Sequence, residues 1–383
     1  MTALDGLLAG LARTPDIGGA GLRAWDAADR YLLDLAHERF PDALAGEVAV
    51  VDDTHGALAL GATVLGASAV RVHQDSVIAR RALAANAARA ALPQPSPHPL
   101  EELVTPETRL VLVRLPRSHD RLDALARAVA ARADARLVLL AGNRMKHMTP
   151  TQNPILAAAF GRVDVAPGRQ KARILIASQP RAVARAEPRR ATVAAGLEVV
   201  AHPGVFAGAA IDIGTRALID TFDELPAFTS ALDLACGSGL MASLLALDAP
   251  DARVIAADVS AVAVASARDT AAANGVPVEV HHDDGAGFLP DASIDLVVLN
   301  PPFHSGSTIT TELARRLIAE AARVLRPGGE LRCVWNSHLA YRPILETVVG
   351  PTRQLARTPK FTVTASRRPC GGRVSATPPV RGV

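Results

Sequence analysis

The sequence repeats itself at long range, and that constrains the fold more than any other feature. In the second half, the strand-like run Ala231-Leu-Asp-Leu-Ala235 leads into Cys-Gly-Ser-Gly and a helical segment. A second strand, Arg253 to Ala257, ends at Asp258 and precedes the alanine-rich helix Val262 to Asn274. Asp295-Leu-Val-Val-Leu-Asn-Pro-Pro and Glu330-Leu-Arg-Cys-Val-Trp-Asn follow. The first half carries the same pieces in the same order: Glu47 to Asp53, Val70 to Asp75 before the helix Val77 to Asn86, Leu110 to Pro116, and Arg136 to Met145. Pairing Asp75 with Asp258, Arg114 with Asn300 and Asn143 with Asn336 gives separations of 183, 186 and 193 residues. Strands alternating with helices of this length are βαβ units, so each half reads as a parallel, doubly wound α/β sheet.

The copies differ in chemistry. The Gly-Ser-Gly turn of the second half is Asp53-Thr54-His55-Gly56 in the first, and Asn300-Pro-Pro is Arg114-Leu-Pro. The first copy keeps the fold pattern and loses the reactive groups. The chain, 383 residues long, is expected to divide into a degenerate domain over 1–165, a basic connecting segment over 166–205, a catalytic domain over 206–368 and a loose tail over 369–383. Pro343 to Arg367 reads as a helix followed by a hairpin, Arg353 to Arg357 and Phe361 to Ser366, joined at Thr358-Pro-Lys. Apolar residues make up 49% and aromatic residues only 3%, so the cores must be built from Ala, Val and Leu.

Composition excludes several classes. Cys236, Cys333 and Cys370 lie far apart, which rules out a disulfide scaffold and a CxxC-type zinc site. The start, Met1 to Gly10, carries Asp5 and no basic segment, so no secretory signal is read. The softest apolar stretch, Gly56 to Val70, is too short to span a bilayer. A cytoplasmic monomer with no membrane partner is expected. The net charge is +3, but it is concentrated: Arg169 to Arg190 has a net +6, and Trp335 to Val383 a net +7. Patches of that kind suit a polyanion, since each phosphate contact releases condensed counterions.

Two motifs carry the chemistry. In Leu232-Asp-Leu-Ala-Cys-Gly-Ser-Gly239, a strand turns into a helix, and Gly237 and Gly239 permit tight curvature and close approach of a ligand. Asp258, nineteen residues beyond Gly239 at the end of the next strand, can accept both hydroxyls of a ribose. That pattern leaves NAD, FAD and S-adenosylmethionine open. Asp233, before the turn, favours S-adenosylmethionine, because a carboxylate there repels phosphate and attracts a cationic methionine moiety.

The second motif, Leu296-Val-Val-Leu-Asn-Pro-Pro-Phe303, lies at the carboxyl end of the fourth strand, 61 residues after Gly239. Pro301 and Pro302 fix the backbone, so the Asn300 side-chain oxygen and the Pro301 carbonyl can both point into a cleft. Two acceptors so placed fit an amino group on a planar ring and stabilise the positive charge that grows on its nitrogen during methyl transfer. Phe303 would stack on a base drawn out of its strand.

These residues resemble the class I S-adenosylmethionine-dependent methyltransferases that act on amino groups. More narrowly, the chain resembles the ribosomal RNA guanine-N2 methyltransferases, both the C type that serves the small subunit of the ribosome and the G type that serves the large one. The matching segments are His202-Pro-Gly-Val-Phe-Ala-Gly-Ala-Ala-Ile-Asp-Ile-Gly214, Leu232 to Leu240, Ala257-Asp-Val-Ser260, Val298-Leu-Asn-Pro-Pro-Phe-His304 and Leu325-Arg-Pro-Gly-Gly-Glu330. Arg114-Leu-Pro116 and Lys171-Ala-Arg173 look like the large-subunit type. The resemblance, from about Asp26 to Arg367, implies two tandem Rossmann-like methyltransferase domains. The first is degenerate; the second is a mostly parallel sheet ending in an antiparallel hairpin. It implies transfer of a methyl group from S-adenosylmethionine to the N2 amine of a guanine in ribosomal RNA, with a lean to the large subunit. Carried over by position, Phe206 and Gly214 line the methionine end and Asp233 lies near its amino group. Ala235, Gly237 and Gly239 form the turn, and Asp258 holds the ribose. Asp284 or its neighbour Asp283 faces the adenine, and Asn300, Pro301, Pro302 and Phe303 receive the amine. Ala235 stands where the family commonly has glycine, so the turn must accept a Cβ.

Two other functions fit the same motifs less well. A protein-glutamine N5-methyltransferase would use the same Asn-Pro-Pro chemistry, but such enzymes resemble a small helical domain joined to one catalytic domain. A non-catalytic RNA-binding assembly factor conflicts with the intact Asn300-Pro301-Pro302 and Asp258. No metal is expected, because adjacent His281 and His282 in a strand point to opposite faces. Cys236 reads as a small buried residue, His147 and His338 as structural, and Arg373 and Arg381 as a solubilising extension.

Overall fold

The computed structural model describes residues 2–19, 21–193, 196–302 and 308–370. Phe303, His304 and the tail beyond Cys370 lie outside the described residues. The chain forms two compact units. The first holds Met1–Pro188 and the short return His202–Gly204; the second holds the remaining chain from Arg189.

In the first unit, helices α1 (Ala3–Gly10), α2 (Ala27–Arg39) and α3 (Pro41–Ala45) precede strand β1 (Glu47–Val51). Then come α4 (Ala57–Val64), β2 (Ala69–His73), α5 (Val77–Arg89), β3 (Ser96–Pro97) and β4 (Thr108–Arg114). The unit closes with α6 (His119–Ala130), β5 (Val138–Arg144), α7 (Gln152–Ala159), β6 (Phe160–Val165) and β7 (Ala172–Pro180). The second unit opens with a hairpin, β8 (Arg189–Thr192) and β9 (Glu198–Ala201), and α8 (Ile213–Ile219). It continues through β10 (Ser230–Leu234), α9 (Leu240–Asp248), β11 (Arg253–Asp258), α10 (Ala261–Ala273) and β12 (Glu279–His282). The last elements are β13 (Ile294–Leu299), α11 (Thr308–Val324), β14 (Leu325–Asn336), α12 (Arg342–Val348), β15 (Thr352–Arg357) and β16 (Phe361–Arg367).

The two seven-stranded sheets have the same topology. Their orders are β3-β2-β1-β4-β5-β7-β6 and β12-β11-β10-β13-β14-β16-β15. Five strands of each are parallel, and the last two form an antiparallel hairpin against them. Such a sheet is covered on both faces, so its central strands are apolar throughout. Alternate side chains of one strand therefore enter different cores: Val48 and Val50 one layer, Ala49 and Val51 the other. In the second unit Val297 and Leu299 face one layer while Leu296 and Val298 face the opposite one. No helix among the described residues is long and apolar enough to cross a membrane.

Strand register corrects two of the repeat equivalences. Val51 pairs with His73 and Leu234 with Ala257, so the counterpart of Asp258 is Gln74 and not Asp75. The caps agree: Ser76 receives the amide of Ala79 and Ser260 that of Ala263, 184 residues apart in each case. Val113 pairs with Ala141 and Leu299 with Cys333, which aligns Asn336 with Arg144 instead of Asn143. Arg114 and Asn300 remain equivalent. The stretch 166–205, expected to connect the domains, contains β7 and the β8–β9 hairpin. Its arginines read as basic surface, yet Ile174, Leu175, Ile176 and Ala177 of β7 are core residues of the first unit.

Candidate active site

The site is assembled at the C-terminal ends of β10, β11 and β13. Beyond Leu234 the chain enters a turn whose Ala235 (φ 63°), Gly237 (φ 55°) and Gly239 (φ 76°) are all left-handed. Gly239 opens α9 with its amide bonded to the carbonyl of Cys236 at 2.9 Å. A Cβ on Gly239 would lie 2.6 Å from the Cα of Ala267, so α9 and α10 come together only over glycine. Ala235 keeps its Cβ in the left-handed region, at a cost of about 1 kcal/mol.

Asp258, at the end of β11, ties this turn to the next helix. One carboxylate oxygen accepts the amide of Gly237 at 3.0 Å, and the other that of Ser260 at 2.9 Å. Asp233 lies beneath the turn, fully buried. One of its oxygens accepts the amide of Ala242 in α9 at 3.0 Å, and the other has no partner. Burial first, and then the charge of Asp258, push its pKa up to about 7. The Cys236 thiol is raised well above its ordinary value by burial and by the same two carboxylates, and is therefore inert.

Asn300 follows β13. Its side-chain NH2 donates to Oγ1 of Thr215 at 2.9 Å and to the Asp212 carboxylate at 3.3 Å. Asp212 caps α8, accepting the amides of Gly214 and Thr215, and it also accepts the Thr215 hydroxyl proton. Because a carboxylate only accepts, the NH2 of Asn300 must face it, and the amide orientation is fixed. The Asn300 oxygen is consequently left buried and, among the described residues, without a partner. Gly214 packs into this network: a Cβ there would lie 3.2 Å from both Asp212 and the Phe361 ring.

A cleft lies over these groups, and Phe206, Asp212, Thr215, Ala235, Gly237 and Asn300 are among its walls. The structure thus brings together four residues singled out from sequence: Phe206, Ala235, Gly237 and Asn300. Gly214, Gly239, Asp233 and Asp258 support the walls from behind. Pro301 is buried beside Asn300, and Pro302 is half-buried. Asp284 lies off the cleft wall in an ion pair with Arg316 of α11, while Asp283 donates its amide to the Asp258 carbonyl at 3.1 Å. His281 stacks on Phe288 with ring centroids 3.9 Å apart, and His282 bonds the carbonyl of Val259 at 2.9 Å.

Sequence reasoning missed Asp212 and Thr215. The signal was the repeat itself. In the first unit Arg114 grips Asp26 at 2.6 and 2.8 Å and Asp29 at 2.6 Å, and Asp26 caps α2. The three pairs 26/212, 29/215 and 114/300 share one separation of 186 residues. The rest of the first copy is filled in. His55, in place of Ser238, is buried with its ring against the carbonyl of Ala24 at 3.0 Å and Asp16 at 2.9 Å. Gln74, in place of Asp258, donates to the carbonyl of Asp53.

The cofactor implied by this turn fits the residues present. An acidic strand end beside a glycine turn, a cleft lined by Phe206, and an orphaned buried acceptor suit S-adenosylmethionine and an amine. Fold and site together define an S-adenosylmethionine-dependent methyltransferase of class I. The family model "Methyltransferase small domain" matches residues 196–365, and "RLMG N-terminal domain" matches residues 3–182. A protein of Streptomyces griseus named ribosomal RNA large subunit methyltransferase G is 35% identical, over 92% of this chain and 95% of its own. The Pseudomonas entomophila protein of the same name is 34% identical, over 94% and 97%. The chain belongs to the family of ribosomal RNA large subunit methyltransferase G. A T. thermophilus 16S rRNA N2 G1207 methyltransferase, solved with AdoMet and guanosine, shares the fold with a TM-score of 0.71 at 23% identity, covering 86% of this chain and 91% of that one.

Proposed function

We propose that the protein methylates the N2 amine of a guanine in ribosomal RNA of the large subunit, acting as a monomer in the cytoplasm. The observation that carries this reading is the Asn300 oxygen: buried, unpartnered and held in orientation by Thr215 and Asp212 on the wall of the cleft. S-adenosylmethionine, when bound, supplies a methyl group activated by its sulfonium. Phe206 and Gly214 would hold its methionine end and Asp233 would attract its amino group from below. Gly237 and Gly239 would admit it to the turn, and Asp258 would accept its ribose hydroxyls. Asp284 or Asp283 would face its adenine.

Asn300 then accepts from the exocyclic amine, with the Pro301 carbonyl as second acceptor. Both bonds draw the nitrogen lone pair out of conjugation and stabilise the positive charge that develops there. The amine loses its proton only after the methyl is in place, so no strong base is required. Phe303 would stack on the guanine. The first unit takes RNA recognition, and residues 206–368 the chemistry.

Two measurements test this. Nucleoside mass spectrometry on ribosomal RNA, separated by subunit, should show one N2-methylguanosine absent from the large-subunit RNA of cells lacking the gene. An unchanged profile refutes the reading and turns attention to methylated glutamine. With purified protein, Asn300→Ala should lower transfer by about a hundredfold or more while S-adenosylmethionine affinity stays within roughly threefold. Loss of cofactor binding would contradict the role given to Asn300.

A further inference from the structure

Asn300 is one of two asparagines in the second unit whose side-chain oxygen is buried and, among the described residues, without a partner; the other is Asn336, the last residue of β14. Both stand at the carboxyl ends of neighbouring strands. Leu299 is in register with Cys333, so Asn300 falls opposite Val334, and Asn336 lies two residues further on. Val298 and Val334 enter the core layer that holds Ala217 and Leu218 of α8, whereas Leu299, Cys333 and Trp335 enter the opposite one. By strand alternation, Asn300 and Asn336 share the α8 face. Strands about 4.8 Å apart with a rise of about 3.3 Å per residue put their Cα atoms roughly 8 Å apart, a gap that two amides and the edge of a purine can fill.

Phe361 links the two amides. It pairs with Asn336 in the ladder of β14 and β16, and the point where a Cβ of Gly214 would stand is 3.2 Å from its ring and 3.6 Å from the Asn300 nitrogen. The polar groups around Asn336 are committed elsewhere. The hydroxyls of Ser337 and Thr362 bond each other at 2.9 Å, and the amide of Ser337 donates to the Lys360 carbonyl at 2.9 Å. The Lys360 ammonium lies over the Phe361 ring, 5.3 Å from its centroid. A buried acceptor without a donor is costly, and one beside a binding site calls for a donor on the ligand. In the first unit both amides are exchanged for cations: Arg114 is the counterpart of Asn300 and Arg144 that of Asn336. A guanidinium only donates, so that copy lost both acceptors together, as two groups serving one ligand would be lost.

We propose that Asn336 selects guanine: its side-chain oxygen accepts the N1–H of the base whose N2 amine Asn300 holds. The inference rests on the guanine reading above and assigns the residue that recognises the ring. In guanine the amine stands next to a second donor, N1–H, so two neighbouring acceptors match the edge of the base. In adenine and in 2-aminopurine the ring nitrogen beside the amine is itself an acceptor. Facing Asn336, it would leave two buried acceptors opposed and unpaired, and a site built to bond an N–H rejects an analogue that lacks it.

The test uses the full chain and large-subunit ribosomal RNA, ligated so that the position the wild-type chain methylates carries either guanine or 2-aminopurine. Both bases hold the N2 amine; only guanine has the N1–H. The wild-type chain should prefer guanine by about a hundredfold or more in kcat/KM. Asn336→Ala should lower kcat/KM for guanine roughly thirtyfold to a hundredfold and leave that for 2-aminopurine within about threefold, so the preference collapses. Asn336→Asp, an acceptor at both oxygens, should keep the preference within about threefold of the wild type. S-adenosylmethionine affinity and melting temperature should be unchanged in both variants. An equal fall for the two bases in Asn336→Ala marks a structural role and overturns the proposal, as does a preference that survives the substitution. If the wild-type chain methylates no guanine, the guanine reading falls and the role of Asn336 with it; methylation of guanine with an unchanged preference in Asn336→Ala removes the role alone.

Discussion

Asn300 is useful to an incoming amine only with its oxygen toward the cleft, and nothing in Asn-Pro-Pro itself dictates that. The orientation comes from Asp212 and Thr215, which take both protons of the amide nitrogen from behind. Thr215→Val removes one of these acceptors and frees the amide to turn. Turnover should fall about tenfold to a hundredfold with little change in S-adenosylmethionine affinity, and Thr215→Ser should restore most of it. A purely structural role would instead lower the melting temperature and affect both measurements together. Asp233 makes a different prediction. Its pKa, raised to about 7, lies above that of an ordinary carboxyl, so the folded chain holds a proton that the unfolded chain has released. Its contribution to stability is full below about pH 4 and is lost as pH climbs to about 7, by up to roughly 1.4 kcal/mol per pH unit. Asp233→Asn keeps an acceptor for Ala242 and removes the buried charge. The variant should melt above the wild type at pH 8 and close to it near pH 4. At pH 8, where Asp233 is ionised, its S-adenosylmethionine affinity should drop about tenfold, because the carboxylate that attracts the ammonium is gone. Equal melting at both pH values would show that Asp233 stays ionised.

At the scale of elements, the turn between β10 and α9 shows how closely glycine is specified. Gly239→Ala sets a Cβ 2.6 Å from the backbone of α10 in a left-handed conformation. It should cost about 2–4 kcal/mol in chemical denaturation. Ala235→Gly should change stability by less than about 1 kcal/mol, since relief of the left-handed strain offsets the greater freedom of the unfolded chain. Gly56 opens α4 in the same way, but the atom nearest to a Cβ there is the tip of the Leu83 side chain, which can yield. Much of this was legible in the sequence. The parallel, doubly wound sheet of each half followed from the repeat, and the hairpin expected over 353–366 is observed as Thr352–Arg357 and Phe361–Arg367. What was not legible depended on pairing between distant segments. Asp75 matches Asp258 in type, whereas ladder register, which no single segment encodes, puts Gln74 there. β7 was hidden by its flanking arginines, though its centre is Ile-Leu-Ile-Ala. The Asp212–Thr215 bracket escaped because its members lie 85 and 88 residues from Asn300.

On the scale of the whole molecule, duplication raises the question of how many cofactors the chain binds. The second unit offers a left-handed glycine turn, a carboxylate at the end of the neighbouring strand and an oriented amide. The first unit retains the turn's geometry: Asp52, with φ of 55°, stands where Ala235 does, and Gly56 where Gly239 does. Each group that would meet a ligand has changed. Thr54 replaces Gly237, and His55 fills the position of Ser238 with a ring held on both nitrogens. A neutral amide, Gln74, stands where Asp258 would hold a ribose, with its NH2 committed to the carbonyl of Asp53. Arg114, locked by two aspartates, brings a cation to the place where a sulfonium would need a neutral or negative neighbour. Duplication therefore preserved the scaffold and released one copy from catalysis. Isothermal titration should give one S-adenosylmethionine per chain. Asp258→Ala, a change within the second unit, should then weaken the whole signal about a hundredfold and leave no residual site, whereas a stoichiometry of two, or a site that survives Asp258→Ala, would show that the first copy still binds the cofactor.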